Sequence, residues 1–150
     1  MKITTKELKP LYFEDVKVGM DVPSFEQWIT PTGEGMNNAG IGQFCESHIT
    51  SEWAMLSWHT PIAFGRGLHL TLYLGRLMTD WIGPNGVLKK LGSQHRSRTP
   101  MGDKLTFGGR VKKTYVKDGE NLIECELWAK NTEGDVKDVG WATAALPSRK

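Results

Sequence analysis

Residues Ile62–Trp81 read IAFGRGLHLTLYLGRLMTDW, and how this run is assigned decides the fold. Leu68, Leu70, Leu72 and Leu74 alternate, which taken alone signals a strand. A typical strand, however, is only about 5–6 residues long. A helix buried on all sides shows no clean 3.6-residue period, so the apolar run is read as a central helix over 62–81. Arg66, His69, Arg76, Asp80 and the glycines at 65, 67 and 75 make it a poor membrane span. The same glycines let a neighbouring strand or a ligand carbonyl come close to the backbone.

Ile82-Gly83-Pro84-Asn85-Gly86 ends the run, and the chain beyond it reads as a β-meander. Strands are predicted over Val87–Arg96 (with a bulge at Gly92), Lys104–Val116, Asn121–Lys130 and Val136–Leu146. Asp118-Gly119 and Asn131–Asp135 supply the turns between the last three. Upstream, Lys2–Pro10 is a polar lead-in, Leu11–Met20 an extended arm ending in a turn, and Ser24–Thr30 the first full strand. Pro31-Thr32-Gly33-Glu34 starts a helix, with Thr32 as the expected cap, that runs on through Ala39–Phe44. Thr50-Ser51-Glu52 opens a second helix, and Ser57–Pro61 breaks it, because a residue before proline is pushed out of the helical region. Helices followed by antiparallel strands form an α+β pattern, in which the sheet must wrap the long apolar helix. One domain spanning 1–150 is expected.

Composition narrows the function classes. With 39% hydrophobic and 24% charged residues the chain is an ordinary globular protein. Its net charge of +2 comes from scattered Lys and Arg, without the basic face that nucleic-acid binding requires. Cys45 and Cys125 have no CxxC spacing, so neither a metal nor a redox motif is indicated. The N-terminus lacks the apolar core of a signal peptide, and a cytoplasmic protein is expected.

The segment most able to carry chemistry is Gln43–Ala54, QFCESHITSEWA. Its one histidine, His48, lies where the first helix gives way to a loop. Histidine titrates near neutrality, so it either moves protons or sits half-solvated at a helix end. His69, inside the apolar helix, is read as a hydrogen-bonded core residue.

Five stretches, in order and covering nearly the whole chain, resemble the MaoC-like hydratase/dehydratase family, which has the hot-dog fold. They are Leu11–Gly19, Ile29 to His48 by spacing, His48–Ala54, Thr79–Pro84, and Met101–Val111. His48-Ile49-Thr50-Ser51-Glu52-Trp53-Ala54 matches the family's H-x-D-x-E-x-A at His48, Glu52 and Ala54. Met101–Val111 is similar to its P-G-D-t-l-t-f-x-G-e-V strand. Thr79–Pro84 resembles the end of the central helix in small MaoC-like subunits acting on steroid-side-chain CoA esters. The family motif D-x-N-P-x-H has its carboxylate five residues before the histidine, where this chain has Gln43; Cys45 and Glu46 stand at its Asn and Pro positions.

The resemblance implies addition or removal of water at a 2-enoyl or 3-hydroxyacyl CoA thioester, with His48 as acid/base and no cofactor or metal. Gln43 can hold a water but cannot accept its proton. Glu46, or less readily Glu52, is then the candidate carboxylate partner. Backbone groups around Gly65, Arg66 and Gly67 are the expected oxyanion hole, Trp53, Trp58 and His59 the acyl groove, and Arg96 and Arg98, with Lys90, the contacts to the nucleotide end of CoA. Arg66 alternatively pairs with Asp80 or Glu14. The family's site forms at a dimer interface, which implies a homodimer, a higher oligomer, or a heteromer with a related subunit. Two further readings remain: a non-catalytic acyl-CoA-binding subunit, and a hot-dog thioesterase.

Overall fold

Helix α3, Gly67–Ile82, begins at Gly67 rather than Ile62 in the computed structural model, which describes residues 10–149. All of the Lys2–Pro10 lead-in except Pro10, and with it the segment read for a signal peptide, lies outside the described residues. Residues 63–65, just before α3, are held extended. Phe64 bridges Pro100, the Gly65 N–H donates to the Thr99 carbonyl at 2.8 Å, and the Met101 N–H donates to the Ala63 carbonyl at 2.8 Å. Backbone groups paired across to another segment cannot also close helical turns.

Five antiparallel strands surround this helix: β1 (Asp21–Trp28), β2 (Val87–His95), β3 (Lys104–Lys117), β4 (Glu120–Lys130) and β5 (Val136–Leu146). Their order in the sheet is β1-β3-β4-β5-β2, so β1 and β2 are the edges. Period-two alternation sets the faces. In β4, Ile123, Cys125, Leu127 and Ala129 point to the helix, while Glu124, Glu126 and Trp128 face outward. The irregularity in β2 falls between Leu88 and Lys90, not at the predicted Gly92, which instead lies under the Trp141 ring.

One stripe of α3, Leu70, Leu74, Leu77, Met78 and Ile82, is buried at helical spacing. Leu68 and Leu72 point away from it and stay about half exposed. The alternating leucines therefore divide between two faces, and the helix is not buried all round as the sequence suggested. Helix and sheet meet closely at Gly140, where an added Cβ would come within 2.8 Å of Leu74 Cδ1 and 3.1 Å of the Gly92 carbonyl. No helix among the described residues is long and apolar enough to cross a membrane.

Both cysteines are free. Cys45 is half-buried and Cys125 is buried in the core. Burial disfavours the thiolate and pushes the Cys125 thiol up to about 12. Because the folded-state value lies above the 9.0 of an ordinary thiol, this group's contribution to stability is intact below pH 9 and is lost as pH rises toward 12. At pH 8 a thiol reagent should modify one cysteine of the native protein, and two after denaturation. Mass spectrometry locating the native adduct on Cys125 would contradict the burial.

Candidate functional site

The site loop is set by two helices and a tight turn. Helix α1, Pro31–Ile41, is capped by Thr30, not Thr32: Thr30 Oγ1 accepts from the Gly33 N–H at 3.1 Å, and Pro31 fills the first helical position, where no N–H is needed. It ends at Gly42 in the left-handed conformation, φ 67°. A 3-10 turn, Glu46–His48, follows, then α2, Ser51–Trp58, capped by Thr50.

His48 ends the turn with its ring buried. Nδ1 lies 2.8 Å from the Phe64 carbonyl oxygen, and the ring meets the Phe64 ring edge-on at 5.0 Å. A carbonyl only accepts, so Nδ1 must carry the proton and the neutral ring leaves Nε2 as a bare acceptor. The hydrogen bond thus selects the tautomer able to take a proton from water.

The carboxylate partners expected for His48 are not in contact with it. No Asp or Glu oxygen lies within 4.0 Å of its ring nitrogens among the described residues; the histidines that meet carboxylates are His69 and His95. Glu46 and His48 sit two places apart on a 3-10 turn of 3.0 residues, so their side chains diverge, and Glu46 is exposed. Glu52 is exposed in the first turn of α2, where its charge suits the helix dipole. Gln43 is engaged elsewhere: its Oε1 accepts from Arg66 Nη1 at 3.1 Å. Arg66 pairs with neither Asp80, which binds Arg76, nor Glu14, which accepts the Arg149 N–H.

The turn into α3 divides the predicted oxyanion donors. The Gly65 N–H is already bonded to Thr99, whereas the N–H groups of Arg66 and Gly67 have no hydrogen-bond partner among the described residues. These two are the orphan donors of a helix start, able to hold a developing negative oxygen. A Cβ at Gly65 would lie 2.9 Å from Ile29 Cγ2, so any larger residue there would have to displace that buried side chain.

Beside the turn lies a groove of about 230 Å³, walled by Phe64, Gly67, Leu70, His95, Arg96 and Arg98. Arg98 sits over the rings of Phe64 (5.3 Å) and Trp58 (5.8 Å), joining two predicted site residues, Arg98 and Trp58, to the His48 cluster. Trp53 and His59 are exposed, His59 as the left-handed C-cap of α2 (φ 53°), so neither lines this groove. His69 is part of the core: Nδ1 is 2.7 Å from Oε1 of the fully buried Glu34, and its ring stacks on Tyr73. Burial, and then the Glu34 charge, raise the Tyr73 hydroxyl above its usual value.

Two residues of interest escaped sequence reading. His95 on β2 lies directly opposite Asp138 on β5, with Nδ1 3.2 Å from Oδ2 of a carboxylate that is fully buried. The signal was present: Asp138 is in phase with the inward positions Gly140, Ala142, Ala144 and Leu146, so a charge had to point into the core. No group of three His, Cys, Asp or Glu side chains among the described residues is placed to hold a metal ion.

No protein-family model matches the sequence, and no curated protein matches it at a significant level. Solved structures do. A chain of the ChsH1–ChsH2 complex from Mycobacterium tuberculosis is 24% identical, with a TM-score of 0.74 over 87% of this chain and 98% of that one. The (R)-hydratase PhaJ1 from Pseudomonas aeruginosa is 15% identical, with a TM-score of 0.82 over 93% and 88%. A MaoC-like dehydratase from Rhodospirillum rubrum is 19% identical, with a TM-score of 0.75 over 93% and 99%. The α+β fold is thus the hot-dog fold of the MaoC-like dehydratases and (R)-hydratases, as the resemblance implied.

Proposed function

We propose that the protein is a hydratase/dehydratase that adds or removes water at a 2-enoyl or 3-hydroxyacyl thioester, with His48 as its base. The observation that carries this is the 2.8 Å bond from His48 Nδ1 to the Phe64 carbonyl, which leaves Nε2 free to accept, three residues before the unpaired Gly67 N–H. In hydration, Nε2 takes a proton from water while the water oxygen bonds to the β-carbon. The thioester oxygen gains negative charge, and the Arg66 and Gly67 N–H groups are the donors suited to hold it. Dehydration runs the same steps backwards. Arg96 and Arg98 at the groove suit the anionic nucleotide end of a CoA ester, and Phe64 with Trp58 suits its apolar acyl part. Likeness to hydratases, and to one two-chain complex, supports both the chemistry and an oligomer, either homodimer or heteromer. Free thiols fit a cytoplasmic setting.

A second reading is favoured by one observation, the absence among the described residues of any carboxylate within 4.0 Å of His48. A chain with a base and no partner acid would suit a non-catalytic, thioester-binding subunit. Assaying crotonyl-CoA and bulkier enoyl-CoA esters separates the two. The hydratase reading expects turnover by the native protein. No turnover, with activity appearing in Gln43→Asp, would make the chain a binding subunit.

A further inference from the structure

Outside the His48 loop, the described residues hold two pairs of a histidine with a fully buried carboxylate: His69–Glu34 and His95–Asp138. The first packs against Tyr73 and α1 and faces a separate surface pocket, away from the His48 loop. The second opens onto the groove beside the start of α3, because His95 remains about half exposed there. The His95 ring packs on Gly67: a Cβ there would run into His95 Nε2, so the ring would have to move aside. The His95 Nε2 edge therefore lies over the first residue of α3, whose N–H is unpaired. Two histidines flank one short turn, His48 bonded to Phe64 and His95 packed on Gly67.

A buried carboxylate stands directly behind the His95 ring. Asp138 is fully buried, and neither of its oxygens has a well-aligned hydrogen-bond donor among the described residues; the ring nitrogen beside it is His95 Nδ1, at 3.2 Å. An ionised carboxylate in that position is stabilised by a charged imidazole. Burial raises the Asp138 carboxyl above its usual range, and the neighbouring His95 ring opposes that rise.

We propose that His95, oriented by Asp138, is the acid that delivers the second proton of the reaction to the substrate α-carbon, the task Gln43 cannot perform. This rests on the hydratase reading above. In hydration, His48 Nε2 removes one proton from water as the oxygen bonds to the β-carbon. The carbon–carbon π pair moves to the α-carbon and on to the thioester oxygen as an enolate. The enolate then forms its new C–H bond with the proton on His95 Nε2, leaving His95 neutral. Each turnover adds one proton to His48 and removes one from His95, and exchange with solvent restores both. His95 is thus a catalytic residue and Asp138 a positioning residue.

The test is steady-state hydration of crotonyl-CoA by native protein, His95→Gln and Asp138→Asn, together with NMR of the four histidine rings as butyryl-CoA is added. Expected are a kcat lower by about 100-fold in His95→Gln with KM within about threefold of native, a smaller fall in kcat alone for Asp138→Asn, and a shift of the His95 resonance on butyryl-CoA binding. Thermal melts confirm that each variant is folded; if Asp138→Asn is not, His95→Gln and the NMR shift decide. Native activity with His95→Gln within about threefold of it, or a His95 resonance that butyryl-CoA leaves in place, overturns the proposal while the hydratase reading stands. A native protein that hydrates no enoyl thioester overturns both.

Discussion

His48→Ala should lower kcat/KM for enoyl-thioester hydration by about 1,000-fold or more, within the range of roughly 100- to 10,000-fold typical of a lost acid–base group. The substitution removes the only ring nitrogen the loop presents beside the start of α3, and Gln43, tied to Arg66, offers no replacement. It also strips the Phe64 carbonyl of its donor, an effect of about 1–3 kcal/mol if water cannot reach it. A melting temperature lower by a few degrees is therefore compatible with a folded, inactive protein. Steady-state assays with native and variant protein, each checked by circular dichroism, decide the matter. A variant retaining more than about a tenth of native kcat/KM would remove His48 from the chemistry. Gln43→Asp makes a useful companion: an aspartate there would be drawn to the Arg66 guanidinium, so Gln43→Asp with Arg66→Gly should respond more than Gln43→Asp alone.

Phe107→Ala should destabilise the fold by about 3–5 kcal/mol, the usual cost of emptying an aromatic position in a core. Phe107 is fully buried on β3, stacked at 5.1 Å on Phe25 of β1 and at 5.1 Å from Tyr73 of α3. It therefore joins an edge strand, a central strand and the helix at one point, and three elements would have to shift to close the cavity. Calorimetry should show a melting temperature lower by roughly 10 °C. The neighbouring Tyr73 stacks on His69, so loosening at Phe107 reaches the Glu34 pair but not the groove side of α3. A loss under about 1 kcal/mol would mean that the three elements do not share one core.

The strands were largely legible because their signal is local. Alternation in Asn121–Lys130 and Val136–Leu146, punctuated by Asp-Gly and Glu-Gly turns, gave β4 and β5 nearly to the residue. The start of α3 was not, because Ala63–Gly65 has no local reason to be extended; it is so through bonds to Thr99 and Met101, over thirty residues away in sequence. The α1 cap at Thr30 rather than Thr32, by contrast, rests on a local clue, Pro31 at the first helical position.

The site divides in the same way. Sequence by itself determined the α+β order of helices and strands and the placing of His48 after the first helix, because period and turn chemistry are properties of contiguous residues; the hot-dog architecture, and Gln43 at the position of the motif carboxylate, were implied by the resemblance of its motifs to the MaoC-like family. Only the tertiary structure decided which nitrogen of His48 is free, which N–H groups at the start of α3 remain unpaired, and that Asp138 stands behind His95. Each of these depends on a partner brought from another strand or loop: Phe64 for His48, Thr99 for Gly65, and the β2–β5 register for His95. Hydrogen bonding acts over about 3 Å, and a chain's order says little about which distant groups folding will bring that close.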